Sequence, residues 1–557
     1  MTLTPAPSGS STFSDRLAAL SSPDRLLCGL LIGFALFALV LGIGYGVAMA
    51  LARSGALSFL PDTAYRILTL HGTTAFFYWL YIAQAALLVI LAVGETGNDI
   101  ALRAFAWIGA ILIAAGFTLS ELSALFGTPL LYDANPELGL DDPPVVAGMA
   151  GGYLLLAAGL MAISISGIAT ILAGGPTGAN GFSALAFGLF ALAGFLIVSA
   201  IAAVNAFLPN LLWALGYAAF PKDATTEWHI LFHNLHYLPL MATVLAWYAL
   251  AHGLTGAQSI TGAAFSKLVF ASYLVFVPPT SLYHMFLEPN LPESMRVAGS
   301  LLSLFVSVPT LIAFLIIVAS LEAHARANGA TGLFGWMRRL PWANPAIANM
   351  CVAMVTMLIG LVFAFVLIQE KLAPMLSDTV FVPGYFHFFA VGTITQTFLA
   401  AMMVALPAIS GRPLWRPVVL SRMPWVVLAG LLLFGAGGII AGFLGVPRRV
   451  IDISYDGAAP ALWHPLMAML GVGGVVFAMG LTVSLYGVAR SLVPSRTPKA
   501  TSAQQGVARM IADATAAPAW TGPIAVLTLV VAMYGATIIA FELMEALPVV
   551  ASGAGGH

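Results

Sequence analysis

The sequence is poor in charge. Lys, Arg, Asp and Glu together make up 8% of 557 residues, the formal net charge is −1, and 60% of the residues are hydrophobic. So little charge on so long a chain excludes a soluble fold. A near-neutral balance without basic clusters excludes nucleic-acid binding. Cysteine is almost missing as well: Cys28 and Cys351 stand alone. They make no CxxC pair, no iron–sulfur framework and no thiolate copper site, and read as small buried hydrophobes. No internal repeat is visible, which counts against a transporter built from inverted repeats. Met1 to Pro23 is polar and the first apolar run has span length, so no cleavable signal is expected.

What fills the chain instead is long apolar runs. A helix needs about 20 apolar residues to cross a bilayer, and backbone groups in lipid must be paired internally. The runs are too long for barrel strands. The chain therefore reads as an all-α polytopic membrane protein, a bundle of about 12–13 transmembrane helices forming a single domain over residues 1–557. Spans are expected near 25–52, 64–93, 103–126, 147–173, 182–212, 226–253 and 265–287. The others are expected near 295–323, 345–369, 379–408, 423–445, 463–491 and 521–547. Arg16, Arg103, Lys267, Arg326, Arg338, Arg339, Arg412, Arg416, Arg422, Arg490, Arg496, Lys499 and Arg509 then share one side with the N-terminus. Arg53, Arg66, Lys222, Arg296, Lys371, Arg448 and Arg449 fall opposite, with the acidic loop Asp133, Glu137, Asp141 and Asp142. The positive-inside rule places the N-terminus in the cytoplasm.

Histidines stand out against this background. His71, His233 and His387 lie on the second, sixth and tenth spans and His284 on the seventh, all at about the same depth below the outer surface, some 5–15 Å at 1.5 Å per residue. A single histidine in a span is often a hydrogen-bonded packing residue. Four at one depth point to a shared centre, since bundles build metal and cofactor sites from facing helices. Imidazole suits iron and copper, and carboxylates are too few for a hard-cation site. On the sixth span His229, His233 and either His236 or Tyr237 share one face, making His236 a further candidate metal ligand.

These residues and their surroundings resemble subunit I of the heme–copper oxygen reductases, especially the B branch. The motifs are Leu70-His71-Gly72, His233 with Tyr237 four residues on, and Pro279 to His284 followed by Pro289. Val382-Pro383-Gly384-Tyr385-Phe386-His387, Leu340-Pro341-Trp342-Ala343-Asn344-Pro345 and Val446-Pro447-Arg448-Arg449 continue the likeness. The resemblance implies that His71 and His387 are the axial ligands of a low-spin, b-type heme, with Arg448 and Arg449 holding its propionates. It implies that His233 and His284 bind the active-site copper, that a second, high-spin heme stands beside it, and that Tyr237 takes part in cleaving oxygen. Tyr248 and Thr310 fall where the family's proton path has hydroxyls, while Val244 and Ala313 replace polar groups there. The partners implied are a subunit II-like protein through which electrons enter, cytochrome c or a similar donor, a small gas substrate and a bacterial inner membrane.

Two departures stand at the heart of the motif. Tyr283 and Tyr385 occupy positions where the family has a copper-binding histidine and the axial histidine of the high-spin heme. Three readings follow. Tyr385 ligates the second iron as a phenolate; or the binuclear centre is altered and handles nitric oxide or another small molecule; or only the low-spin heme remains, in an electron-transfer or sensor homologue. The expected function is that of a terminal-oxidase-like heme subunit moving electrons from a cytochrome donor to O2 with proton uptake. A transporter with a histidine-lined path is the alternative from a different class.

Overall fold

Long apolar sequences close their backbone hydrogen bonds locally, and the chain accordingly folds into helices. The computed structural model describes residues 13–176, 181–222, 224–277, 306–369, 372–492 and 521–546. The main helices are α1 Ser22–Arg53, α2 Pro61–Thr96, α3 Arg103–Phe126, α4 Pro143–Gly174, α5 Ala184–Ala214 and α6 Ala224–Thr255. They continue with α7 Gly262–Phe276, α8 Val308–Ala327, α9 Pro345–Leu367, α10 Phe381–Ser410, α11 Pro417–Phe443, α12 Trp463–Arg490 and α13 Thr521–Ala546. Among the described residues 12 helices are long and apolar enough to cross a membrane; α7, with 15 residues, is apolar but shorter. No strand occurs among them beyond an isolated bridge between Thr379 and Pro447. The spans expected near 265–287 and 295–323 are seen as α7 and α8. Tyr283 and His284 lie outside the described residues.

Several helices begin where the sequence supplies a start signal. Pro at the first turn opens α2, α4, α8 and α9, where the missing N–H has no partner to lose. Asn344 caps α9 by accepting from Ala346 N at 2.9 Å, and Ser183 caps α5 from Ala186 N at 3.0 Å.

Burial sorts the helices. The apolar stretch of α2 is buried on every side and that of α10 over 83%, whereas the remaining spans range from 18% to 67%. Helices apolar all round belong at the centre of a bundle. The two central helices are those that carry His71 and His387. Both depart from α-helical winding: α2 runs as a π-helix over Thr73–Trp79 and α10 over Phe388–Thr395. Each π segment begins within two residues of its histidine.

Candidate functional site

The space between α1, α2, α6, α10 and α12 is a cavity of about 860 Å³. His71, His387, His236, Tyr237, Tyr385, Arg448 and Arg449 all line it, so seven of the residues singled out in the sequence meet around one cavity. His233 lies on α6 but its side chain falls outside the described residues, as does that of His229. Tyr283 and His284 do so entirely. Among the described residues no group of three or more His, Cys, Asp or Glu comes together.

The imidazoles of His71 and His387 face one another, ring centres 6.5 Å apart and planes 9° from parallel. His71 Nδ1 donates to Gly42 O at 3.0 Å and His387 Nδ1 to Pro383 O at 2.7 Å. A carbonyl only accepts, so each ring carries its proton on Nδ1 and presents Nε2 as a lone pair, the tautomer a metal requires. Two imidazoles bound trans to one ion, each with a bond of about 2.0 Å and about 1.1 Å from nitrogen to ring centre, stand about 6.2 Å apart. The observed spacing of 6.5 Å leaves room for one metal ion between the two rings.

The motifs around both histidines have local causes. A side chain at Gly46 on α1 would place its Cβ 2.8 Å from His71 Cε1, so glycine there makes room for the ring. A Cβ at Gly72 would lie 2.5 Å from that of Tyr132, so the glycine after His71 admits the loop that closes one end of the cavity. At Gly384 the backbones of α10 and α11 touch, a Cβ there falling 2.9 Å from Ile439 N. Phe434 and Phe477 then flank the His387 ring at 4.6 and 6.0 Å.

One end of the cavity is charged. Val380 N donates to Val446 O and Arg448 N to Asp378 O, both at 2.9 Å, tying the arginine loop to the start of α10. Arg53 holds that loop from below, donating to the carbonyls of Arg448 and, at 2.6 Å, of Pro447. Arg448 pairs with exposed Asp378 at 2.9 Å, and Arg449 bonds the Tyr132 hydroxyl. Among the described residues Arg53 Nε, Arg448 Nε and Asp133 Oδ1 are buried without a partner. Buried polar atoms ordinarily find a partner, and these three stand together at one cavity mouth. Burial pushes the Asp133 carboxyl up from the ordinary range, against the pull of Arg449 and Arg448. The loop bearing Tyr132 and Asp133 has Leu131 (φ 60°) and Ala134 (φ 51°) in the left-handed region, a strained backbone of the kind found at binding sites. Leu131 N bonds Thr69 Oγ1 at 3.1 Å, and Tyr132 O accepts from Tyr153 at 2.7 Å.

The opposite wall is aromatic. Tyr385, two residues before His387, packs with Phe381 and Phe389 on another side of α10. Tyr385 is half-buried and lines the cavity. Tyr237 is close to Tyr385 and bonds Ser307. His236 donates from Nδ1 to Phe232 O at 2.9 Å and sits among Phe76, Phe232 and Phe386, ring centres 5.4, 4.1 and 4.9 Å away. Farther along, Tyr273 bonds Thr310 at 2.7 Å and Tyr248 bonds Ser266 at 2.8 Å. Buried Val244 and Ala313 offer no hydroxyl in that region.

Sequence reasoning treated Arg53 and Asp133 only as surface charges. The signal that could have found Arg53 is its place at the last turn of a span, next to Ser54 and Gly55. The π segments and the seat at Gly46 had no signal.

Comparison with known proteins bears on the family and the fold. The family description "Cytochrome C and Quinol oxidase polypeptide I" matches residues 27–476. The cytochrome c oxidase subunit 1 of Thermus thermophilus is 28% identical over 290 residues, 51% of this chain and 51% of that protein. The match thus spans about half the length of that relative. A heme–copper terminal oxidase dimer solved by cryo-electron microscopy superposes with a TM-score of 0.79 at 20% identity, over 94% of this chain and 92% of that one. At that identity the likeness is one of fold.

Proposed function

The chain belongs to the cytochrome c and quinol oxidase polypeptide I family, and from that premise we propose that it is the heme-carrying subunit of a terminal-oxidase-like membrane complex. The observation that carries this reading is the pair of parallel imidazoles, 6.5 Å apart, each with Nδ1 committed to a carbonyl and Nε2 left as a lone pair. His71 and His387 would hold a low-spin heme. Such a heme, when bound, would supply one-electron transfer. Arg448, Arg449 and Tyr132 would take its carboxylates, which supplies the unpaired Arg448 Nε with an acceptor. The aromatic and aliphatic walls of the cavity would shield its ring edge from water.

A second heme is proposed at Tyr385. Tyr385 lines the cavity together with Tyr237, and a phenolate is an established iron ligand that favours the ferric state. His233 and His284 would then hold copper, with Tyr237 poised to give a proton. Electrons would come from a cytochrome-type donor through a subunit II-like partner. Protons would come from the opposite side by way of Tyr248, Tyr273 and Thr310. The N-terminus would lie in the cytoplasm of a bacterial inner membrane.

The test is a pyridine hemochrome assay with metal analysis on the purified protein, followed by a carbon monoxide difference spectrum. Two hemes per chain, one of them binding carbon monoxide, are expected. No heme at all would end this reading in favour of a transporter. One heme without carbon monoxide binding would reduce it to electron transfer or sensing.

A further inference from the structure

We propose that a hydrogen bond between Trp79 and Thr395 is a positioning latch that sets the mutual orientation of the His71 and His387 imidazoles. The proposal rests on the bis-imidazole heme proposed above. Trp79 Nε1 donates to Thr395 Oγ1 at 2.8 Å, and both residues are buried. Trp79 is the last residue of the π segment that follows His71, and Thr395 the last of the one that follows His387. Each stands eight residues after its histidine. The two helices therefore run parallel, joined at two matching levels: imidazole against imidazole, then indole against hydroxyl.

The π winding explains how both levels can face the same way. An α-helix turns about 100° per residue, so a residue eight positions on would point about 80° away from its histidine. Winding by i→i+5 bonds turns less per residue and brings position i+8 back toward the histidine's face. The Thr395 hydroxyl, which accepts from the indole, donates its own proton to Ala390 O at 2.8 Å, five residues back, and is thereby held in place within the π segment. A π segment costs hydrogen-bond geometry, and two of them at matched positions need a common purpose. Holding i and i+8 on one face in both helices fixes their relative rotation, and with it the 9° angle between the ring planes.

The molecule contains its own control. Trp247 Nε1 on α6 donates to Thr397 Oγ1, also at 2.8 Å and also buried. This is the same bond type on the same helix two residues farther on, but it ties α10 to a helix that carries neither His71 nor His387.

The experiment is electron paramagnetic resonance of the oxidised, heme-loaded protein, with heme content measured in parallel, for wild type, T395V, T395S and T397V. Low-spin ferric iron between parallel imidazoles gives a rhombic signal, and crossing the planes shifts its low-field feature. T395V is expected to shift or split that feature, while T395S and T397V keep the wild-type signal. If T395V loses its heme, retention by T395S supports the latch and equal loss in T395S overturns it. An unshifted T395V signal overturns it too, as does an equal shift in T397V. A wild-type protein without any low-spin signal refutes the bis-imidazole heme itself, and needs no variant to show it.

Discussion

Gly46→Ala is the smallest change that reaches the centre of the site. The added methyl would lie 2.8 Å from His71 Cε1, 3.1 Å from Nδ1 and 3.6 Å from Nε2. Carbon atoms rest about 3.5–4.0 Å apart, so the ring must retreat by about 0.7–1.2 Å. A metal–ligand bond tolerates about 0.2 Å. The ring cannot retreat freely, because Nδ1 is tied to Gly42 O on the same helix that bears the new methyl. Overpacking of this kind costs about 1–3 kcal/mol, and if that cost falls on the ligated state the heme is held about 5- to 150-fold more weakly. Gly44→Ala is the matched control, since nothing lies within 4 Å of a methyl there. Both changes raise helix propensity equally, so the difference between them isolates the contact. The assay is heme per protein with the ferric optical spectrum. Gly46→Ala should lower occupancy and convert low-spin heme to high-spin, while Gly44→Ala matches wild type. Wild-type occupancy and a low-spin spectrum in Gly46→Ala would refute the seating of His71 against Gly46.

Three further changes probe the rest of the cavity. Arg53→Met removes donors from the carbonyls of Arg448 and Pro447, charge-assisted bonds worth about 1.5–3 kcal/mol each; a lower Tm and weaker heme retention are expected, and an unchanged melting curve would show the arginine loop to be held otherwise. Asp133 has its carboxyl raised by burial, so its favourable contribution is complete below the ordinary carboxylate range and is lost as pH rises through the raised value; Asp133→Asn should therefore raise Tm at pH 8 more than at pH 4, and an equal effect at both would contradict this. Tyr385→His combined with Tyr283→His should shift the spectrum toward a histidine-ligated high-spin heme, and an unchanged spectrum would place Tyr385 away from iron.

Much of this site could be read before any coordinates. His71 and His387 were paired from their motifs, and they face each other. The resemblance gives Arg448 and Arg449 to the heme propionates, and both line the cavity that His71 and His387 line. Span length and apolar composition are strong signals because lipid leaves the backbone no other way to satisfy itself, and the helices follow them closely. Other features could not be read. A π segment has no composition of its own: Thr73–Trp79 and Phe388–Thr395 look like ordinary apolar helix, and their winding answers a demand made by the neighbouring helix. Gly46 is one of 55 glycines, and only its contact with His71 distinguishes it. His236 was a candidate ligand by helical spacing, but spacing does not reveal that three phenylalanine rings surround it.

The most direct test of an iron held between His71 and His387 is near-infrared magnetic circular dichroism of the oxidised protein, whose charge-transfer band reports both axial ligands. The expected result is a bis-histidine band in wild type that moves to the histidine–methionine position in His387→Met. A wild-type protein without a bis-histidine band, or a band that stays in place when His387 is replaced, would contradict it.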